Sequence, residues 1–203
     1  MTKRVSFRCA LVLVALLQGG CIITMNSGSE EVRPAARIDF ADPVLKNRQL
    51  LLFGDIDESS AKRIVQEFLF LDNQSHEPID LYLMTPGGDL KSAMAIENVM
   101  RVIHSKVNTY ALSECNSGGA MLLAAGTGTR RAFRGAIIII HGMSVHGRFP
   151  AGMVENLQAG YTKFWQARTK IPANWLPLPH DITHVLTAEQ ALQYGVVDAI
   201  VER

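Results

Sequence analysis

The sequence predicts an α/β domain with a mainly parallel sheet flanked by helices. Two observations predict it: short apolar runs ending at glycine-bearing corners, and stretches of helical period regularly inserted between them. Gln49 to Phe53 is an apolar run closed by Gly54, which suits a buried strand. Asp57, Ser59 and Ser60 then offer N-caps for a helix with Ile64, Val65, Phe68, Leu69 and Leu71 on one face. Ile79 to Met84 reads as the next strand, closed by Thr85-Pro86-Gly87-Gly88. Leu90, Ala93, Met94, Ile96, Met100 and Ile103 follow at helical spacing. Val107 to Leu112 reads as strand, Ser117 to Ala125 as helix, and Ala136 to Ile140 as a fully buried strand. Pro150 to Ala167 reads as helix, and Pro172, Pro177 and Pro179 interrupt the chain after it. Ala188 to Tyr194 is a short helix with Gly195 as its C′ residue, and Val196 to Val201 is a last strand. Near-continuous apolar strands joined through helices imply parallel pairing with right-handed crossovers.

Composition narrows the class of function. The 203 residues carry 20 Lys and Arg against 19 Asp and Glu, a net charge of +1. That balance lacks the basic footprint of a nucleic-acid-binding domain. With 48% hydrophobic and 19% charged residues, the chain can bury a sizeable core. Cys9, Cys21 and Cys115 cannot build a disulfide framework and show no CxxC spacing, so neither a zinc site nor any other cofactor is expected. No Gly-rich loop ends in Gly-Lys-Ser/Thr, so the chain has no nucleotide site of its own.

Residues 1–21 read as an address. Lys3, Arg4 and Arg8 precede an apolar run from Cys9 to Leu17, followed by Gln18-Gly19-Gly20-Cys21. This is the pattern of a secretory signal, and its Gly-Gly-Cys end resembles a bacterial lipobox with Cys21 as the lipidated residue. The alternative is an uncleaved signal anchor, although the run is shorter than the ~20 apolar residues of an ordinary span. Residues 22–36 read as a flexible tether, and 37–203 as the folded domain. The expected location is the bacterial cell envelope, membrane-anchored through the N-terminal segment, with the cytoplasm as the alternative.

Two corners carry candidate chemistry. Pro86-Gly87-Gly88 taken alone is a common turn. Ser117, in Asn116-Ser117-Gly118-Gly119-Ala120, stands where a strand turns into a helix. Such a corner exposes a hydroxyl and aims backbone N–H groups at one point, as acyl transfer requires. Read locally, the same serine is first of all an N-cap. His141 shifts that reading, because it ends a strand at the carboxyl edge of the sheet, where ligands collect in open α/β folds. His76, His104, His146, His180 and His184 read as satisfied polar groups.

These residues resemble the proteolytic subunit of the Clp protease, of the wider fold shared with crotonases, built of ββα repeats. Thr85-Pro86-Gly87-Gly88 is similar to the family's Ser-Pro-Gly-Gly corner. Ser117-Gly118-Gly119-Ala120-Met121-Leu122-Leu123-Ala124-Ala125-Gly126 is similar to its serine helix, and Ile140-His141 to its histidine strand. Ala188-Glu189-Gln190-Ala191 through Tyr194-Gly195 to Asp198 is similar to its closing motif. The resemblance implies a serine endopeptidase acting on unfolded polypeptides, with Ser117 as nucleophile and His141 as general base. It implies an oxyanion hole from the N–H groups of Gly88 and Gly118. The family's third triad member is an aspartate. A gapless alignment places Thr183 there, and Asp181 lies two residues earlier. Met143 replaces a family proline, and the stretch between His141 and Tyr194 is shorter than the family's. The resemblance also implies a homo-oligomeric ring and an AAA+ unfoldase partner. An exported protein would have no ATP for that partner, so peptidase activity without one is also expected. Two other readings remain: a catalytically silent assembly subunit of the same fold, and a crotonase-type acyl-CoA enzyme, which would need no serine–histidine pair.

Overall fold

The computed structural model describes residues 21–24, 39, 41–146, 150–178 and 182–202. The chain runs β1 (Cys21–Thr24), α1 (Pro43–Lys46), β2 (Gln49–Phe53), α2 (Glu58–Gln74), β3 (Ile79–Thr85), α3 (Leu90–Val102), β4 (Val107–Asn116) and α4 (Gly118–Ala125). It continues through β5 (Arg130–Phe133), β6 (Ile137–His141), β7 (Met143–His146), α5 (Met153–Arg168), a 3₁₀ turn at Ala173–Trp175, β8 (Thr183–Thr187), α6 (Ala188–Gln193) and β9 (Ala199–Val201). The main sheet has the order β2-β3-β4-β5-β9, all parallel. β4 is long enough to serve two partners. Thr109–Ala111 pairs with β5, and Glu114–Asn116 pairs with β6, which in turn takes β8 antiparallel.

Local chemistry sets the helix starts. Asp57 caps α2 by accepting from Ser60 N at 2.7 Å, while Ser60 Oγ accepts from Asp57 N, a reciprocal capping box. Asp89 caps α3 through Ser92 N at 2.9 Å, and Thr187 with Gln190 makes a second capping box at α6. Helices α2, α3 and α4 cover one face of the sheet, burying Leu50, Leu52, Leu81, Leu83, Val107 and Ala111 against Ile64, Phe68, Ala93, Ile96 and Leu122.

The other face departs from the reading of fully buried strands. β2 and β3 alternate, so Leu51, Phe53 and Met84 stay exposed among the described residues, and Ile137 of β6 is 40% exposed. Tyr82 and Tyr110 stack at 4.6 Å on this face. Residues 22–24, read as the start of a tether, are strand: β-branched Ile22, Ile23 and Thr24 suit one, and β1 pairs parallel with β7. Residues 1–20 of the expected 1–21 address segment and residues 25–36 of the expected tether lie outside the described residues. No helix among the described residues is long and apolar enough to cross a membrane.

Arg130 ties the last strand to the sheet. Its guanidinium donates to both oxygens of Asp198, at 3.0 and 2.5 Å, and to the carbonyls of Arg168 and Gly195. The hydrogen bond from Arg130 outweighs burial and holds the Asp198 carboxyl below its ordinary range. A carboxylate with a depressed folded pKa adds stability that is present above ~3.9, the unfolded value, and is lost as pH falls through the folded one. Asp198→Asn is therefore expected to lose about 1 kcal/mol at neutral pH, a modest figure because the carboxylate is half exposed. The gap to the parent should narrow as pH falls from neutral to well below ~3.9. Denaturant midpoints at both pH values check this.

Candidate active site

Ser117 follows β4 directly and occupies the position before α4, with φ 56° and ψ −119°. It and Arg48 are the non-glycine residues with positive φ among those described. Such a conformation costs on the order of 1–3 kcal/mol and persists only where the surroundings enforce it. The surroundings here are specific. Ser117 N donates to Ile139 O of β6 at 2.8 Å, and Met121 N donates to Ser117 O at 3.1 Å. The N-cap reading fails, because the Ser117 side chain makes no cap hydrogen bond. Its Oγ is buried with no hydrogen-bond partner among the described residues, in a residue only 4% exposed.

The Pro-Gly-Gly corner packs directly against this serine. Thr85 Oγ1 accepts from Gly87 N at 3.0 Å and sets the turn. Gly87, at φ 101°, approaches so closely that a Cβ there would lie 2.6 Å from Ser117 Cβ and 2.8 Å from Asn116 O. Gly88, at φ 148°, bridges in parallel to Ile56, and a Cβ there would meet Ile56 O at 2.2 Å. The bridge uses Gly87 O and Asp89 N (2.8 and 2.7 Å). By parallel-bridge geometry the N–H of Gly88 itself is directed away from Ile56. Gly118 N–H is a first-turn amide of α4, a position with no intrahelical acceptor, at the positive end of the helix.

His141 closes β6, two residues beyond the Ile139 that holds Ser117 N, and is buried. Its Nδ1 lies 2.6 Å from the Gly142 carbonyl, and Tyr161 Oη of α5 donates to the His141 carbonyl at 3.0 Å. Thr183 is the direct cross-strand partner of His141 in the β6–β8 pair. Opposed residues in such a pair share a face with Cβ atoms ~5 Å apart. No hydrogen bond joins His141 to Thr183 or to Ser117 among the described residues. Asp181 lies outside the described residues. Cys21 begins β1, and its backbone pairs with Met143.

Sequence reasoning missed three contributors. Gly142 followed His141 without any motif signal, Tyr161 sat in a helix read only by period, and Gly87 was overshadowed by Gly88. The rival nucleophile by position, Cys115, is fully buried, and burial with the nearby Glu114 pushes its thiol well above the ordinary range. Iodoacetamide is therefore expected to modify Cys115 only after unfolding, as peptide mapping of native and urea-treated protein would show.

A family model described as Clp protease matches residues 33–203, which include both corners, the histidine strand and the closing motif. The chain belongs to the Clp protease family.

Proposed function

We propose that the chain is a serine endopeptidase whose nucleophile is Ser117 and whose general base is His141. Family membership supports a peptidase function, and one observation carries the assignment to this residue. Ser117 is a strained, buried serine with an unpartnered hydroxyl, held at a strand-to-helix corner against Gly87. An unsatisfied buried hydroxyl costs on the order of 1–3 kcal/mol, a cost that a purely structural serine would not carry.

In the proposed reaction Ser117 Oγ bonds to the scissile carbonyl carbon while its proton passes to Nε2 of His141. The oxyanion is held by the N–H groups of Gly88 and Gly118. The proton then goes to the leaving amine as the C–N bond breaks, and water hydrolyses the acyl-enzyme by the same base. An Nδ1–H donated to the Gly142 carbonyl leaves Nε2 as the acceptor, the tautomer this step requires. Thr183, opposite His141, stands at the third-member position in this reading, but it brings no negative charge and the Gly142 carbonyl takes the Nδ1–H in its place. Replacing a triad aspartate by a neutral amide costs about 10⁴ in turnover. Thr183→Asp is accordingly expected to raise kcat by at least about tenfold, part of that range, while Asp181→Asn changes it little. Collapse of activity in Asp181→Asn with full activity in Thr183→Val would make Asp181 the partner.

Family members form oligomeric rings and bind polypeptides. The exposed Leu51, Phe53 and Met84 support the same self-association for this chain. Envelope placement through Cys21 and independence from an ATPase complete the proposal. Both are supported by the N-terminal pattern, since an exported protein would have no ATP for an unfoldase partner. The silent-subunit reading has one observation in its favour, the neutral residue opposite His141. Hydrolysis of a fluorogenic peptide and of unfolded casein by the full chain without nucleotide tests the proposal. Turnover that disappears in His141→Gln supports it, and no turnover by the assembled parent contradicts it.

A further inference from the structure

At the edge of the sheet opposite Ser117, the C-terminal ends of α2 and α3 meet around Asp72. The carboxylate is firmly held: Oδ1 accepts from Ser105 N and Ser105 Oγ, both at 2.8 Å, and Oδ2 accepts from His104 N at 3.3 Å. Burial raises the Asp72 pKa, but the Ser105 and His104 hydrogen bonds outweigh it and keep the carboxyl well below its ordinary range. Two imidazoles face the two oxygens. His76 Nδ1 is 3.4 Å from Oδ1, and His104 Nδ1 is 3.6 Å from Oδ2. The two rings lie side by side with centroids 4.8 Å apart, and the three candidate ligand atoms fall within 4.8 Å of one another.

Both Nδ1–oxygen distances exceed the ~2.7–3.2 Å of a good N–H···O bond. They lie close instead to the ~3.4 Å edge between adjacent ligands of a tetrahedral cation with bonds of ~2.0–2.2 Å, while the set as a whole spans up to 4.8 Å and must draw in slightly around an ion. We propose that Asp72, His76 and His104 form a binding site for a divalent cation of the zinc class, with solvent completing the coordination. Two imidazoles and one carboxylate suit Zn²⁺, Ni²⁺ or Cu²⁺, whereas Mg²⁺ and Ca²⁺ prefer all-oxygen sites. The side chains of His76 and His104 are 64% and 76% exposed and so are open to an incoming ion, while that of Asp72 is 13% exposed.

Ser105 acts as the outer support of the carboxylate and is itself bonded to Arg48 Nη2 at 3.1 Å. Arg48 places a positive charge behind the site, which limits affinity. Its guanidinium is otherwise directed to the carbonyls of Leu71, Ser75, Glu77 and Pro78. A bound ion would cross-link the ends of the two crossover helices and stabilise the folded chain by mass action. The site stands apart from the peptidase reading, at the opposite end of the ten-residue β4 from Ser117, roughly 30 Å away at ~3.3 Å per residue.

Calorimetric titration of the chelator-treated full chain with Zn²⁺ tests the site, with thermal unfolding followed in parallel. One ion per chain and a raised Tm are expected for the parent. His76→Gln and His104→Gln, both at exposed positions, should each weaken binding at least about tenfold, the loss that even outer-shell partners cause. The double variant should keep its fold and lose both the binding and the Tm shift. Absence of binding by the parent, or equal binding by the double variant, overturns the assignment.

Discussion

Ser117→Ala is expected to abolish peptide hydrolysis while leaving the protein folded and no less stable than the parent. Loss of the serine nucleophile costs on the order of 10⁶ in kcat in a well-studied serine protease. The stability side follows from the site itself. Alanine keeps the Cβ and so leaves the packing around Gly87 and α4 unchanged, and the backbone strain at φ 56° is the same for both residues. The change removes only a buried hydroxyl that has no partner among the described residues. Equal or raised Tm with undetectable turnover is the expected pair of results. Parental turnover of casein by the alanine variant would remove Ser117 from the chemistry.

The second large effect belongs to Gly87→Ala. A Cβ at this position would stand 2.6 Å from Ser117 Cβ, 2.8 Å from Asn116 O and 3.2 Å from Ser117 Oγ, so the nucleophile must move. Misplacement by about 1 Å can cost 10²-fold in rate, and at least that loss in kcat is expected. Gly54→Ala supplies the control. Gly54 also has positive φ, 78°, but a Cβ there meets nothing within 4 Å. It should share the backbone penalty of about 1 kcal/mol or more and keep its turnover. If both variants retain parental kcat, the contact between the two corners has no catalytic meaning.

Elements whose own residues specify them were legible in the sequence. Strands β2 and β3 and helices α2 and α3 carry apolar periodicity and caps, and the structure places them within a residue or two of the reading. Elements that exist through their partners were not. β5 is Arg130-Arg131-Ala132-Phe133, with only Ala132 buried, and it is strand because β4 and β9 flank it. β4 runs past Leu112 through polar Ser113 and Glu114 because β6 pairs with its second half. β8 is defined by β6, and its register is what sets Thr183 opposite His141.

The candidate site divides in the same way. A serine at a corner and a histidine at a strand end can be read from residue order. The positive φ of Ser117 and the approach of Gly87 arise only when three strands are assembled, and the bond from His141 to the next residue's carbonyl has no sequence signal. Nothing in sequence links His76 and His104, because the whole of β3 and α3 separates them, although the ends of α2 and α3 bring both to Asp72.

Labelling of the intact full chain with a fluorophosphonate, followed by peptide mapping, tests the central claim most directly, since the reagent bonds preferentially to an activated serine hydroxyl. The account predicts one adduct per chain, located on Ser117, absent in Ser117→Ala and formed more slowly in His141→Gln. No adduct on the folded parent, or an adduct on another residue that persists in Ser117→Ala, would contradict it.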